Sequence, residues 1–148
     1  GEYKKRNNDK IIHKKGVLMQ KLDLFKCDVC GNIVQTIIIG GGELVCCGQP
    51  MNRLEIKTKE DAMLEKHVPI FTKTEDGKDE IRVGEVLHPM KEEHHIVFIE
   101  AISEDKNNIQ LKYLHSDEEP KMIFNKTSEK MIARELCNIH GLWEGEND

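Results

Sequence analysis

Five cysteines constrain this chain more than any other feature. Four fall in one stretch: Cys27-Asp28-Val29-Cys30, then Cys46 sixteen positions on, with Cys47 directly behind it. The fifth, Cys137, stands alone near the other end. An odd count, with no secretory-type apolar stretch at the start, argues against a disulfide framework. Clustered thiols in a reducing compartment bind metal or do redox work. Two pairs brought together by a hairpin make a tetrahedral four-sulfur site. Thiolates at about 2.3 Å suit zinc, and the same set holds a single iron; spacing does not separate the two. Adjacent side chains point in different directions, so Cys46 and Cys47 share an ion only with a strained local backbone. A unit of roughly 30 residues buries too little apolar area to fold without a staple, and four metal-binding thiols supply one.

Charge is spread unevenly around this unit. Residues 1–26 hold 8 Lys/Arg against 3 Asp/Glu, whereas 27–148 hold 14 against 24. Residues 1–21 read as a basic arm with little packing, 22–55 as the cysteine unit and 56–148 as a second domain that starts with a charged linker. The acidic body argues against a phosphate-backbone binder. The longest apolar runs, 37–39 and 96–99, fall far short of the roughly 20 residues that cross a membrane. Neither nucleic acid nor membrane is an expected partner, and a cytoplasmic setting is expected. In the cysteine unit a strand is predicted over 33–39, ending at Gly40-Gly41-Gly42. In the second domain strands are predicted over 81–87, 96–99, 109–113 and 121–124. The turn signals are Asp76-Gly77, Asp105-Lys106-Asn107-Asn108 and Asp117-Glu118-Glu119-Pro120. Short strands at such spacing suggest an all-β sandwich or barrel. Residues 128–136 fit helix and strand patterns alike.

The histidines gather at turns and strand ends. The strings are Glu65-Lys66-His67-Val68-Pro69, His88-Pro89-Met90, Glu93-His94-His95 and Cys137-Asn138-Ile139-His140-Gly141. Cys137-x-x-His140 is a chelating pair on one loop. Imidazoles with one thiolate are ligands for iron, copper or zinc.

Together with Cys27-x-x-Cys30-Gly31-Asn32 and Gly42-Glu43-Leu44-Val45-Cys46-Cys47, these strings resemble the desulfoferrodoxin family of two-centre superoxide reductases. The resemblance covers roughly residues 22–148. It implies an all-β fold: a small desulforedoxin-like domain followed by an immunoglobulin-like β-sandwich. It implies two mononuclear non-haem irons, one on Cys27, Cys30, Cys46 and Cys47. The other would take four imidazoles, from His67, His88, His94 and His140, and an axial thiolate from Cys137. Register from His88 favours His94; His95 would point to the other side of a strand. The family's reaction is one-electron reduction of superoxide to hydrogen peroxide at an open iron position, with re-reduction by a donor such as rubredoxin. A homodimer is implied as well. Lys66 would attract superoxide and place water for proton delivery, and Glu65 would close over the ferric iron as a sixth ligand. The amides of Ile139 and His140 would hydrogen-bond the thiolate, and Trp143 reads as core. Two other readings are a zinc-binding interaction module and a simple iron–thiolate electron carrier. The carrier leaves the histidines and Cys137 unexplained.

Overall fold

The computed structural model describes residues 3–7, 10–13, 18–61, 67–84 and 88–148. The chain divides into two units, Gly1–Leu54 and Glu55–Asp148. Strands make up nearly all the regular structure; among the described residues the one helical turn is the 3-10 turn Lys59–Asp61.

The first unit opens with β1 (Tyr3–Asn7), β2 (Lys10–His13) and β3 (Leu18–Met19), paired in that order as one antiparallel sheet. In backbone register Ile11 lies opposite Met19, and Ile12 opposite Leu18, within the stretch read as a basic arm with little packing. β-Branched residues on one side of a Lys-Lys-Gly turn signal form a hairpin pattern that the charge of the segment obscures. A second sheet puts β4 (Leu24–Lys26) between β5 (Ile33–Gln35) and β8 (Asn52–Arg53). A hairpin of β6 (Val45–Cys46) and β7 (Gln49–Pro50) completes the unit. Among the described residues its buried apolar side chains are Met19, Leu22, Leu24, Phe25 and Cys27. Buried Asp23 accepts the Gln20 N–H at 2.8 Å and pairs with Arg53 at 3.0 Å, so its charge is compensated. The predicted strand over 33–39 pairs only as far as Gln35; Ile37 and Ile38 are 56% and 87% exposed.

The second unit is a two-layer β-sandwich. One layer is β10 (Pro69–Lys73), β11 (Asp79–Val83) and β14 (Lys121–Ile123). The other runs β13 (Ile109–Tyr113), β12 (Ile96–Ser103), β15 (Met131–Cys137), β16 (Gly141–Glu146) and β9 (Ile56–Lys57). Among the described residues every pairing of the two layers is antiparallel except that of β9 with β16. Ile81 and Val83 of the first layer meet Ile96, Ile99, Ala101, Met131 and Ala133 of the second in one buried cluster. Of the ambiguous stretch 128–136, residues 131–136 belong to strand β15, because β12 and β16 flank it and satisfy its backbone on both sides. The strand predicted over 81–87 is seen to Val83, and 85–87 lie outside the described residues. β13 carries the expected alternation, but it is an edge strand and its apolar residues are exposed, Tyr113 at 70%.

A Cβ on Gly145 would collide with the carbonyl oxygen of Pro69. The missing side chain lets β16 approach the start of β10, two residues after His67. Register then fixes what lies at one end of the sandwich. Pro69 is opposite Val83, Ile96 opposite Cys137, and Cys137 opposite Gly141. Cys137 is the last residue of β15, and His67, His88, His94 and His140 sit just beyond these strand ends.

Candidate metal centres

The four-cysteine group is built from two turns. β4 delivers Cys27, whose N–H donates to the Asn32 carbonyl at 2.9 Å, while the Gly31 N–H donates to the Cys27 carbonyl at 2.9 Å. Gly31 has φ +84°, which only glycine adopts freely. The second turn explains the vicinal pair. Val45 and Cys46 lie opposite Pro50 and Gln49, so Cys47 and Gly48 are the two central residues of a tight hairpin. Their φ angles are +53° and +73°, the positive values that such turns require at both positions. Cys47 therefore holds the strained conformation expected of it, at an order of 1–3 kcal/mol.

All four sulfurs lie within 4.8 Å of one another, with Cys30–Cys46 at 3.6 Å and Cys46–Cys47 at 4.0 Å. Four sulfurs about 2.3 Å from one ion sit about 3.8 Å apart. Their acid–base behaviour also calls for a cation. The Cys30 backbone N–H, with that of Val29 and the Cys30 and Cys46 thiols, draws the Cys27 pKa down to about 7, against burial. Hydrogen bonding from Cys30, then from Cys46 and Cys27, pushes Cys47 up to about 12. One thiolate forms readily and opposes the next, an opposition that a bound cation removes. The Asn32 side-chain amide reaches Cys46 Sγ at 3.8 Å.

The second group lies at the end of the sandwich. His67, His88, His94 and His140 form a closed ring of imidazoles, with successive centroids 4.6, 4.7, 5.0 and 4.6 Å apart. The diagonal from His67 to His94 is 6.1 Å. Cys137 Sγ lies 3.7 Å from His88 Nε2 and 3.9 Å from His140 Nδ1. The donor atoms of His67, His88 and His94 lie within 4.8 Å of one another, as do those of His67, Cys137 and His140. Nitrogens on opposite sides of one ion, each about 2.1 Å from it, are about 4.2 Å apart.

Neighbouring groups aim these donors. Because a carbonyl only accepts, the 2.7 Å contact of His88 Nδ1 with the Pro89 oxygen puts the proton on Nδ1, leaving the Nε2 lone pair on the sulfur side. The His140 N–H donates to Cys137 Sγ at 3.4 Å, and the Ile139 N–H also favours the thiolate. These are the amides expected there. Burial pushes the Cys137 thiol up against them. Burial, then the rings of His88, His140 and His94 and the charge of Lys57, lower His67 to about 4. His67 is thus a neutral imidazole, and its buried Nδ1 has no hydrogen-bond partner among the described residues. A neutral ring with an unmatched nitrogen, beside three more imidazoles and a thiol, fits a borderline-soft transition metal.

His94 and His95 take different roles. His94 stands in the ring, while the His95 Nδ1 faces the carbonyls of Lys91 and Glu92 at 3.1 Å each. Glu65 and Lys66 lie outside the described residues. Three further residues of the site escaped sequence reasoning. Asn138 ties the His94 loop to the Cys137 loop: its Oδ1 accepts the His95 N–H at 2.9 Å and its Nδ2 donates to the Glu93 carbonyl at 3.2 Å. Glu135 is fully buried on β15, neither carboxyl oxygen has a partner among the described residues, and burial raises its pKa well above the usual carboxylate value. Lys57 donates to the His140 carbonyl at 3.1 Å. Trp143, expected as core, is buried but also stacks on His67, with centroids 5.2 Å apart. Position next to candidate ligands was the only signal that pointed to Asn138. Nothing local marks Lys57, which stands in a stretch that reads as linker.

The sequence pattern of the family described as "Desulfoferrodoxin" matches residues 59–146, and that of "Desulfoferrodoxin, N-terminal domain" matches 19–54. A desulfoferrodoxin of Syntrophotalea carbinolica is 46% identical over 129 residues, covering 87% of this chain and 99% of that protein. A desulfoferrodoxin homolog of Archaeoglobus fulgidus is 45% identical over 127 residues, covering 86% and 98%. In structure, the superoxide reductase of Treponema pallidum superposes with a TM-score of 0.63 at 26% identity, covering 84% of this chain and 97% of that one.

Proposed function

The chain belongs to the desulfoferrodoxin family, and on that premise we propose that it is a superoxide reductase: it converts superoxide, one electron and two protons to hydrogen peroxide. It carries two mononuclear iron sites per chain. Cys27, Cys30, Cys46 and Cys47 would hold one, and His67, His88, His94, His140 and Cys137 the other. The observation that carries this reading is the closed ring of four imidazoles with Cys137 Sγ within 3.9 Å of two of them. Five protein donors leave a six-coordinate ion one open position, the mark of a reactive rather than structural site. Iron held there supplies the electron and that open position.

The protein's own residues do the rest. Burial and the neighbouring rings keep His67 neutral, so its lone pair is available for a metal at neutral pH. The amides of Ile139 and His140 favour the thiolate form of Cys137. Lys66, next to His67, supplies a compact positive charge that draws an anion toward an otherwise acidic protein and positions water as the proton source. With iron bound, Glu65 would offer it a hard carboxylate as a further ligand.

The electron donor in this reading is a small rubredoxin-like protein, and the working form is a homodimer. Exposed Val34, Ile37, Ile38 and Val45 around the cysteine unit support a self-association surface. The five cysteines form no disulfide, and cysteines kept for metal suit a reducing, cytoplasmic setting. Among the described residues no helix is long and apolar enough to cross a membrane.

Metal analysis together with product counting tests the proposal. Iron-loaded protein, kept reduced by an external donor under a steady superoxide supply, should form one hydrogen peroxide per superoxide consumed and release no dioxygen. A colourless zinc protein without activity would favour the interaction module. One peroxide per two superoxides, with dioxygen released, would mean dismutation.

A further inference from the structure

Lys57 has no part in the ligand set, yet its ammonium reaches the backbone of a candidate ligand. It lies on β9, the edge strand that joins the sandwich by the parallel pairing with β16, where it sits opposite Trp143. Lys57 Nζ donates to the His140 carbonyl oxygen at 3.1 Å. The Trp143 indole N–H donates to the same oxygen at 3.1 Å. Lys57 Nζ also lies 5.5 Å from the Trp143 ring centroid, within cation–π range, and that ring stacks on His67 at an interplanar angle of 20°. One ammonium therefore holds the backbone of one candidate ligand and, through Trp143, the face of another. Among the described residues no carboxylate lies within ion-pair distance of Lys57, and its charge acts on the Cys137 thiol.

We propose that Lys57 is a positioning residue of the His/Cys centre: with Trp143 it clamps the His140 carbonyl, and its fixed positive charge raises the reduction potential of the iron bound there. This rests on the reading of the previous subsection, that the group binds iron. The sign follows from charge. Four neutral imidazoles and one thiolate leave the centre at +1 with ferrous iron and +2 with ferric iron. A nearby cation disfavours the more positive state, so it favours the reduced form that reacts with superoxide. Lys57 is half-buried, so solvent screens this effect less than it would a surface charge. The double hydrogen bond also restrains the turn between Cys137 and Gly141, which carries both Cys137 Sγ and His140 Nδ1.

Three variants of the full-length, iron-loaded protein separate charge from hydrogen bonding. Lys57→Met keeps the apolar stem, Lys57→Gln keeps a donor without charge, and Lys57→Arg keeps the charge. The readouts are iron per chain, the midpoint potential of the His/Cys centre by redox titration, and its sulfur-to-iron absorption band. Lys57→Gln and Lys57→Met should both shift the midpoint to more negative values while that of the four-cysteine centre stays fixed. Lys57→Arg should restore it. Loss of iron from the His/Cys site alone in Lys57→Met, with retention in Lys57→Gln and Lys57→Arg, would support the clamp, and loss from both neutral variants with retention in Lys57→Arg would support the charge. An unchanged midpoint in either neutral variant, or the same shift in Lys57→Arg, would overturn the inference. If Lys57→Met does not fold, Lys57→Gln decides. If the unmodified protein shows no thiolate–histidine iron band, the proposed function fails first, a result distinct from all of these.

Discussion

His67 shows how much one buried side chain sets. Stacked on Trp143 and 2% exposed, it is held at a pKa of about 4, well below the ordinary 6.5, by burial and then by its neighbours' charges. The unfolded chain releases it to the ordinary value, so between about pH 6.5 and 4 the unfolded state binds the extra proton. Metal-free protein should therefore lose stability as pH falls through that window and lose no more from this group below it. Thermal unfolding followed from neutral pH to about pH 4 checks this, and His67→Phe should flatten the slope. Bound metal excludes the proton, so loaded protein should resist acid further down. Of these residues, His67 and Cys137 were legible in the sequence because ligand types at turn positions stand out. Glu135, two residues before Cys137 in an apolar strand, was not: burial decides its state, and burial is a property of the fold.

Among the elements, loops at the strand ends decide whether the donors converge. Asn138 joins two of them with a pair of side-chain hydrogen bonds that flank His94. Asn138→Ala should cost about 1–2 kcal/mol of stability. It should also loosen iron at the His/Cys site and leave the four-cysteine site loaded, as metal counting and the two absorption signatures would show. Equal loss at both sites would make Asn138 a general folding residue instead. Sequence reading fared unevenly at this scale. The run 96–99 announced a strand buried on both faces, and β12 is that strand, lengthened to Ser103 by its two partners. The isoleucines at 37–39 announced one equally loudly, yet no strand pairs with them. β9 is only two residues long, and a parallel partner 86 positions away in the register of Lys57 with Trp143 leaves no local trace. Cys47 is the opposite case: the demand that neighbouring cysteines share an ion required a strained turn there, and its φ is +53°.

At the scale of the whole molecule, the two units carry separate metal groups, each complete within its own unit. Among its described residues the cysteine unit has few buried side chains, so its ion should be its main staple. Cys30→Ser should remove one iron per chain and leave the chemistry of the other centre intact. Loss of superoxide reduction in a single turnover of that variant would put the four-cysteine centre inside the reaction rather than beside it. The most direct measurement mixes fully reduced protein with a pulse of superoxide and follows the His/Cys absorption. The expected result is one-electron oxidation of that centre alone, close to the encounter limit, with one hydrogen peroxide per oxidised iron. A His/Cys iron that stays reduced while superoxide decays at its spontaneous rate would contradict the proposed function at its root.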